Sequence, residues 1–346
     1  MNNQLSISRS FTVCAALLML PACSSGSSAP LLGASGVTQP NAGQRANGLP
    51  LALNGRSGAR DTRSSWMSAD AKRVALLYVS DEDTSDVYVY SISTDRLVGV
   101  LTGFNGPRGI CANKNHDIWI TESGNSKLLE YAHGGTHPIH VLYDPGQYPV
   151  ACSVESASGE LAATNIISAK DGPGSLSLYA NANGLPTLVP AFSQTYIDGY
   201  DPDGNLFVNG WNNVGWSQFG EIVRGQDTVT KLTIAGGAIG NAGGIQYADG
   251  SLALGDYQGI SGHAAIYQVT VNGTTATITG TTELLHSRAV VAFFILGDQV
   301  FCLNDDDGPE HVEKDVTIYK YPAGGEPIKI IHNPAFSIPV GVAVSM

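Results

Sequence analysis

The chain has 346 residues, of which only 14% are charged and 43% hydrophobic, with 41 glycines and a formal net charge of −12. That acidity excludes a phosphate-binding surface for nucleic acid and gives no attraction to anionic lipid. Low charge with abundant glycine suits a turn-rich all-β protein better than a helical one.

The N-terminus reads as a targeting segment over residues 1–22. Arg9 supplies a short positive region, and Phe11–Leu20 is an apolar run too short to span a bilayer. Leu20-Pro21-Ala22-Cys23 comes next. It resembles a bacterial lipobox, which implies lipidation at Cys23 after cleavage; Pro21 departs from the usual pattern, and an ordinary signal peptide is the alternative. Ser24 after the cysteine implies, by the same resemblance, sorting to the outer membrane.

Residues 23–73 are rich in Gly, Ser, Ala, Pro and Asn without apolar periodicity, as expected of a flexible tether. Fifty such residues reach roughly 40 Å, with the stretch near Trp66 and Met67 able to pack on the domain that begins at residue 74.

From residue 74 to 346 one unit recurs, which predicts a single all-β domain, a six-bladed β-propeller. A short apolar strand ends in a polar residue six times: Leu77–Asp81, Ile118–Glu122, Leu161–Asn165, Leu206–Gly210, Leu252–Asp256 and Phe301–Asp305. Successive starts are separated by 41 to 49 residues, the period of a four-stranded blade. A tyrosine-marked strand comes next in most copies, as in Val87–Tyr90 and Leu128–Tyr131, and then a glycine turn such as Asn183-Gly184. An outer strand succeeds it, as in Pro138–Leu142. A glycine-bearing strand closes each unit, as in Pro107–Cys111 and Gly243–Tyr247; small residues there suit the crowded axis. The extra strand Pro339–Val344 is expected to complete the first blade and shut the ring.

Residues 107–125 carry Pro-Arg-Gly-Ile, Asn-His-Asp and Gly-Asn in a pattern that resembles an NHL repeat. The whole region 74–346 is similar to secreted bacterial propellers related to NHL and SMP-30/gluconolactonase proteins. The NHL resemblance implies a binding surface; the SMP-30 resemblance implies a metal-dependent lactonase.

The polar strand ends Asp81, Glu122, Asn165, Asp256 and Asp305 lie on one face of the predicted ring, with Asn209 one place early in the fourth copy. Such oxygens can cap turns, or together hold Ca²⁺ or another divalent cation; SMP-30-like enzymes place a Glu, an Asn and an Asp comparably around their metal. Capping, with no cofactor, is the favoured expectation. The acidic loop from Asn304 through Glu310 to Asp315 lacks EF-hand spacing and reads as solvated. Trp211, Trp216, Tyr196 and Tyr200 form a candidate aromatic platform for a glycan or peptide, or else pack between blades. His133, His137 and His140 lie away from the axis, with no carboxylate or cysteine suitably spaced to join them in a zinc site. Cys111, Cys152 and Cys302 are an odd set once Cys14 and Cys23 are set aside; small buried thiols and a Cys111–Cys152 disulfide both remain open. No nucleophile motif appears. The expected protein is a monomeric, membrane-anchored binding propeller without enzymatic activity, whose partner is a protein, peptide or glycan; a metal-dependent lactonase or esterase is the alternative.

Overall fold

The computed structural model describes residues 63–346 except 169, 216, 258–261, 289 and 306–313. The proposed targeting segment, Cys23 and most of the tether lie outside the described residues. No described helix is long and apolar enough to cross a membrane.

The strands fall into six sheets, one per sequence repeat, antiparallel except for one parallel pairing in the fifth. Blade one comprises, from the axis outward, Pro339–Ser345, Leu76–Asp81, Asp86–Ser91, Leu97–Leu101 and Trp66–Met67. The C-terminal strand is paired with the first long strand from Leu76↔Ser345 to Asp81↔Pro339, as the permuted register of the repeats requires. Trp66–Met67 adds a fifth strand against Val100 and Gly99, so the domain takes in the end of the expected tether. Blades two and three have four strands each over residues 107–143 and 147–190. In blade four Gln194–Tyr200, Leu206–Trp211 and Ser217–Ile222 precede an outer strand of two residues, Thr230–Lys231. The chain then crosses to blade five, where Thr233–Ala235 pairs in parallel with Thr275–Leu284. Blade six runs from Val290–Leu296 to Lys329–His332.

Each strand alternates its side chains between the two neighbouring blades, which is why these strands are apolar on both faces. In blade one Leu76 and Tyr78 join Ile118 and Ile120 of blade two, whereas Leu77 and Val79 join Phe301 and Leu303 of blade six. Four further clusters fill the remaining interfaces around the circle. The innermost strands touch one another in a closed circuit, which demands small residues. A Cβ on Gly109 would lie 2.4 Å from Ala151 Cα, and one on Gly341 would lie 2.1 Å from the Arg108 carbonyl oxygen. Blade six departs from this pattern: its innermost strand, Val290–Leu296, carries phenylalanine instead of glycine, and Phe293 fills the space opposite Gly244.

Cys111 and Cys152, on the innermost strands of blades two and three, form a disulfide with a Cα–Cα distance of 5.7 Å. This resolves the alternatives that the odd cysteine count left open. Cys302 is a free thiol at the blade five–six interface, and burial pushes its pKa up.

Candidate functional site

The polar strand ends share one face, where the second strand of each blade turns back and where the outer strand crosses to the next blade. In three blades the carboxylate oxygens are directed at those crossings. Asp81 accepts from Ser337 N at 2.6 Å and Ile338 N at 3.0 Å, just ahead of the C-terminal strand, and from Thr84 N at 3.0 Å. Glu122 accepts from Asn105 N at 2.6 Å and sits 2.7 Å from Lys127 Nζ. Asp256 accepts from Gly240 N at 2.8 Å and Asn241 N at 3.0 Å. The same geometry recurs in three blades: a buried carboxylate satisfies the backbone N–H groups of the segment that leads into the innermost strand.

Asn165 instead donates to Ser175 Oγ and Ser177 Oγ at 3.2 and 2.8 Å. Asn209 bridges blades, accepting from Ile197 N at 3.1 Å and donating to the Gly243 carbonyl at 2.7 Å. Asp305 ends its strand opposite Lys314. Among the described residues no three His, Cys, Asp or Glu side chains gather where they could hold a metal. In three blades the strand-end carboxylate caps backbone amides in this way, while the side-chain oxygen of Asn165 is buried without a hydrogen-bond partner among the described residues. The acidic loop at 306–313 lies outside the described residues; at its end, Asp315 is buried and accepts from Thr317 Oγ1 at 2.7 Å.

Of the candidate aromatic residues, the described ones bring Trp211 and Tyr196 together and leave Tyr200 apart. Trp211 is buried, with its ring centroid 5.1 Å from that of Tyr196. Tyr196 lies near the Trp211 end of the innermost strand of blade four, whereas Tyr200 pairs with Leu206 at the other end and donates to Glu160 at 2.8 Å. Four residues of strand put the two tyrosines about 13 Å apart. Trp216 is outside the described residues.

Two features were hidden in the sequence. One is a buried carboxyl in the axial channel, a space of about 300 Å³ lined by all six innermost strands. Its lining is largely Gly, Ala, Ile, Val and Phe, but Asp198 projects there and accepts from Ser153 Oγ of blade three at 2.5 Å. Its other oxygen is buried without a partner, and desolvation raises its pKa to about 7. The other is a groove of about 470 Å³ between blades four and five. It opens because the fourth strand of blade four stops after two residues, against four to ten for the fourth strands of the other blades. Phe219, Leu232, Ile234 and Ile239 give it an apolar lining, and Ser217, Gln218 and Lys231 a polar one. Ladder partners on the outer side of Ser217–Ile222 are confined to Gly220 and Glu221, together with a bond from Leu232 N to the Phe219 carbonyl.

The three histidines also part company. His133 lies against Ser345, with Nδ1 2.5 Å from its Oγ. His137 Nδ1 pairs with Thr136 Oγ1 at 3.0 Å. His140 does have a carboxylate beside it, contrary to the spacing argument: Glu130, its cross-strand neighbour, approaches to 3.8 Å. Ten residues of chain hide a contact that antiparallel register makes direct.

Comparison with known proteins agrees with this architecture. The NHL repeat family model matches residues 104–131, which span the first three strands of blade two. A chain in the crystal structure of a nidogen/laminin complex superposes with a TM-score of 0.62 at 10% identity, covering 79% of this chain and 98% of that one. A protein of unknown function from Bacteroides caccae superposes at 0.59 with 12% identity, covering 79% and 99%. No curated protein matches in sequence. The chain is a six-bladed, NHL-like propeller.

Proposed function

We propose that this propeller is a non-enzymatic binding module, exported and lipid-anchored through Cys23, that holds an extended segment of a partner protein in the groove between blades four and five. The observation that carries this reading is the shortened outer strand of blade four. A sheet edge that lacks part of its outer neighbour is a template for strand addition by a peptide. The apolar lining from Phe219, Leu232 and Ile234 offers a seat for alternate side chains of such a strand. Lys231 at the rim has no ion-pair partner among the described residues and favours an acidic residue or a C-terminal carboxylate. Support of a different kind comes from the fold: one relative was solved in a complex between two proteins. The engagement of Asp81, Glu122 and Asp256 by backbone amides favours binding over metal-assisted hydrolysis.

The test is selection of peptides from a displayed random library on the full chain. Selected peptides are expected to be extended, apolar at alternate positions and acidic, and to lose at least tenfold in affinity on the Ile234→Asp and Lys231→Glu variants. Peptides that bind both variants as they bind the parent would overturn the assignment. Labelling with radioactive palmitate, abolished by Cys23→Ser, tests the anchor.

A further inference from the structure

Blade two presents a row of side chains toward blade three, on the side of the ring opposite the capped strand ends. Cross-strand register aligns Cys111 with Trp119, Trp119 with Glu130 and Glu130 with His140. Cys111 is fixed to blade three by its disulfide, which pins the two blades where the row begins. The outer part of the row borders a cleft of about 330 Å³, closed from blade three by Asn181 and Asn183.

The cleft is polar and incompletely satisfied. The Trp119 side chain is fully buried among Cys152, Leu161 and Tyr179, and its indole N–H has no acceptor among the described residues. An unpaired buried donor costs free energy that a bound acceptor would recover. His140 stands edge-on to the indole, with ring centroids 5.5 Å apart. Glu130 accepts from Asn113 Nδ2 at 2.9 Å, which occupies one oxygen and leaves the other facing His140. Desolvation, more than the nearby Asp117, raises the pKa of Glu130. Glu155 also borders the cleft, but its oxygens are taken by the amides of Ala157 and Ser158.

We propose that this cleft binds a neutral sugar residue of a glycan. The chemistry selects that class by elimination and by match. An anion would meet two carboxylates, Glu130 and Glu155, against the single ammonium of Lys114 on the lining. A hydrophobic group would leave the indole N–H unpaired. A hard cation needs six or more oxygens, and here the carboxylate is shared with an amide and an imidazole. Sugar hydroxyls each donate and accept, so one ring can accept from Trp119 Nε1 and donate to Glu130 while the Asn181 and Asn183 amides bind its rim. The volume is at the lower end of small-ligand sites, suited to one or two sugar units.

The experiment uses the full chain and an array of glycans ending in neutral hexoses and N-acetylhexosamines, with sialylated glycans and Ca²⁺ alone as comparators. Neutral termini are expected to bind, unaffected by EDTA. Asn183→Ala, a change in an exposed loop, should weaken binding at least tenfold at unchanged melting temperature. Glu130→Leu should weaken it further, and Trp119→Phe several-fold. Ile234→Asp, in the other groove, should leave it unchanged, so failure of the peptide reading and failure of this one are separable. The proposal is overturned if no neutral glycan is held, if Asn183→Ala and Glu130→Leu both bind normally, or if the cleft responds only to sialylated glycans or to Ca²⁺.

Discussion

Asp198 should make this protein less stable as pH rises through neutrality, and replacing it with asparagine should remove that loss. Its carboxyl is buried in the axial channel with one oxygen on Ser153 Oγ and the other unpartnered. Desolvation lifts its pKa from 3.8 to about 7. A carboxyl whose folded pKa lies above its unfolded value binds its proton more tightly when folded. The stability it contributes is therefore fully present below about pH 4 and is lost as pH rises through about 7. Three units at about 1.4 kcal/mol each set an upper bound of about 4 kcal/mol on that loss. Water entry into the channel on ionisation would reduce it to about 2 kcal/mol. Asp198→Asn keeps the shape and the acceptor for Ser153 without the charge. Urea unfolding at pH 4.5 and pH 8 measures the effect: the stability of the variant relative to the parent should rise by about 2 to 3 kcal/mol between the two. Equal pH dependence in both proteins would refute the argument, because it would mean that Asp198 titrates alike in the folded and unfolded chains. Asp144 adds a smaller contribution of the same sign, since burial raises its pKa to about 6 despite a bond from Ser177 Oγ.

Other expectations rest on the close packing and the caps. Replacing Cys111 and Cys152 by serine releases a sequence separation of 41 residues, which loop entropy values at about 4 kcal/mol; the urea midpoint of the double variant should match that of the reduced parent. Gly341→Ala places a methyl group on the Arg108 carbonyl of the next blade and should destabilise by at least about 2 kcal/mol in chemical denaturation, whereas alanine at an open turn would not. Asp81→Ala leaves the amides of Thr84, Ser337 and Ile338 without their acceptor, at a cost of about 3 kcal/mol and with faster amide exchange at 337–338. If Asp81 were a metal ligand instead, stability of the parent would fall on chelation, and it should not.

The second strands were the legible part of the fold because both their faces are buried, which makes them apolar throughout: Ile118–Glu122 appears with the boundaries read from sequence. Outer strands were harder. Leu97–Leu101 is half exposed and carries a glycine, and the two residues of Thr230–Lys231 leave no periodicity to detect. The crossing of Thr233–Ala235 to another sheet has no local signal at all, since its parallel partner begins at Thr275. The innermost strand of blade six, Val290–Leu296, lacks the glycine mark because its neighbours make room for phenylalanine where other blades use glycine. Site residues divide along the same line. The capping carboxylates recur with the repeat and could be found by period. Asp198, and the alignment of Trp119, Glu130 and His140, arise from contacts across strands and between blades. Those depend on register and on which blades are neighbours, and neither is written in local spacing.

The union of Leu76–Asp81 with Pro339–Ser345 has a consequence for how the molecule is made. The residues that join first and last in the sheet are separated by nearly the entire domain, so the growing chain carries an unclaimed edge until Pro339–Ser345 emerges. Early blades can collapse on one another, but the circle gains its last interface only once residues 339–345 have been made. A truncated copy would therefore be an unsealed sheet stack with a reactive border, prone to recruit a second molecule in place of its own missing end.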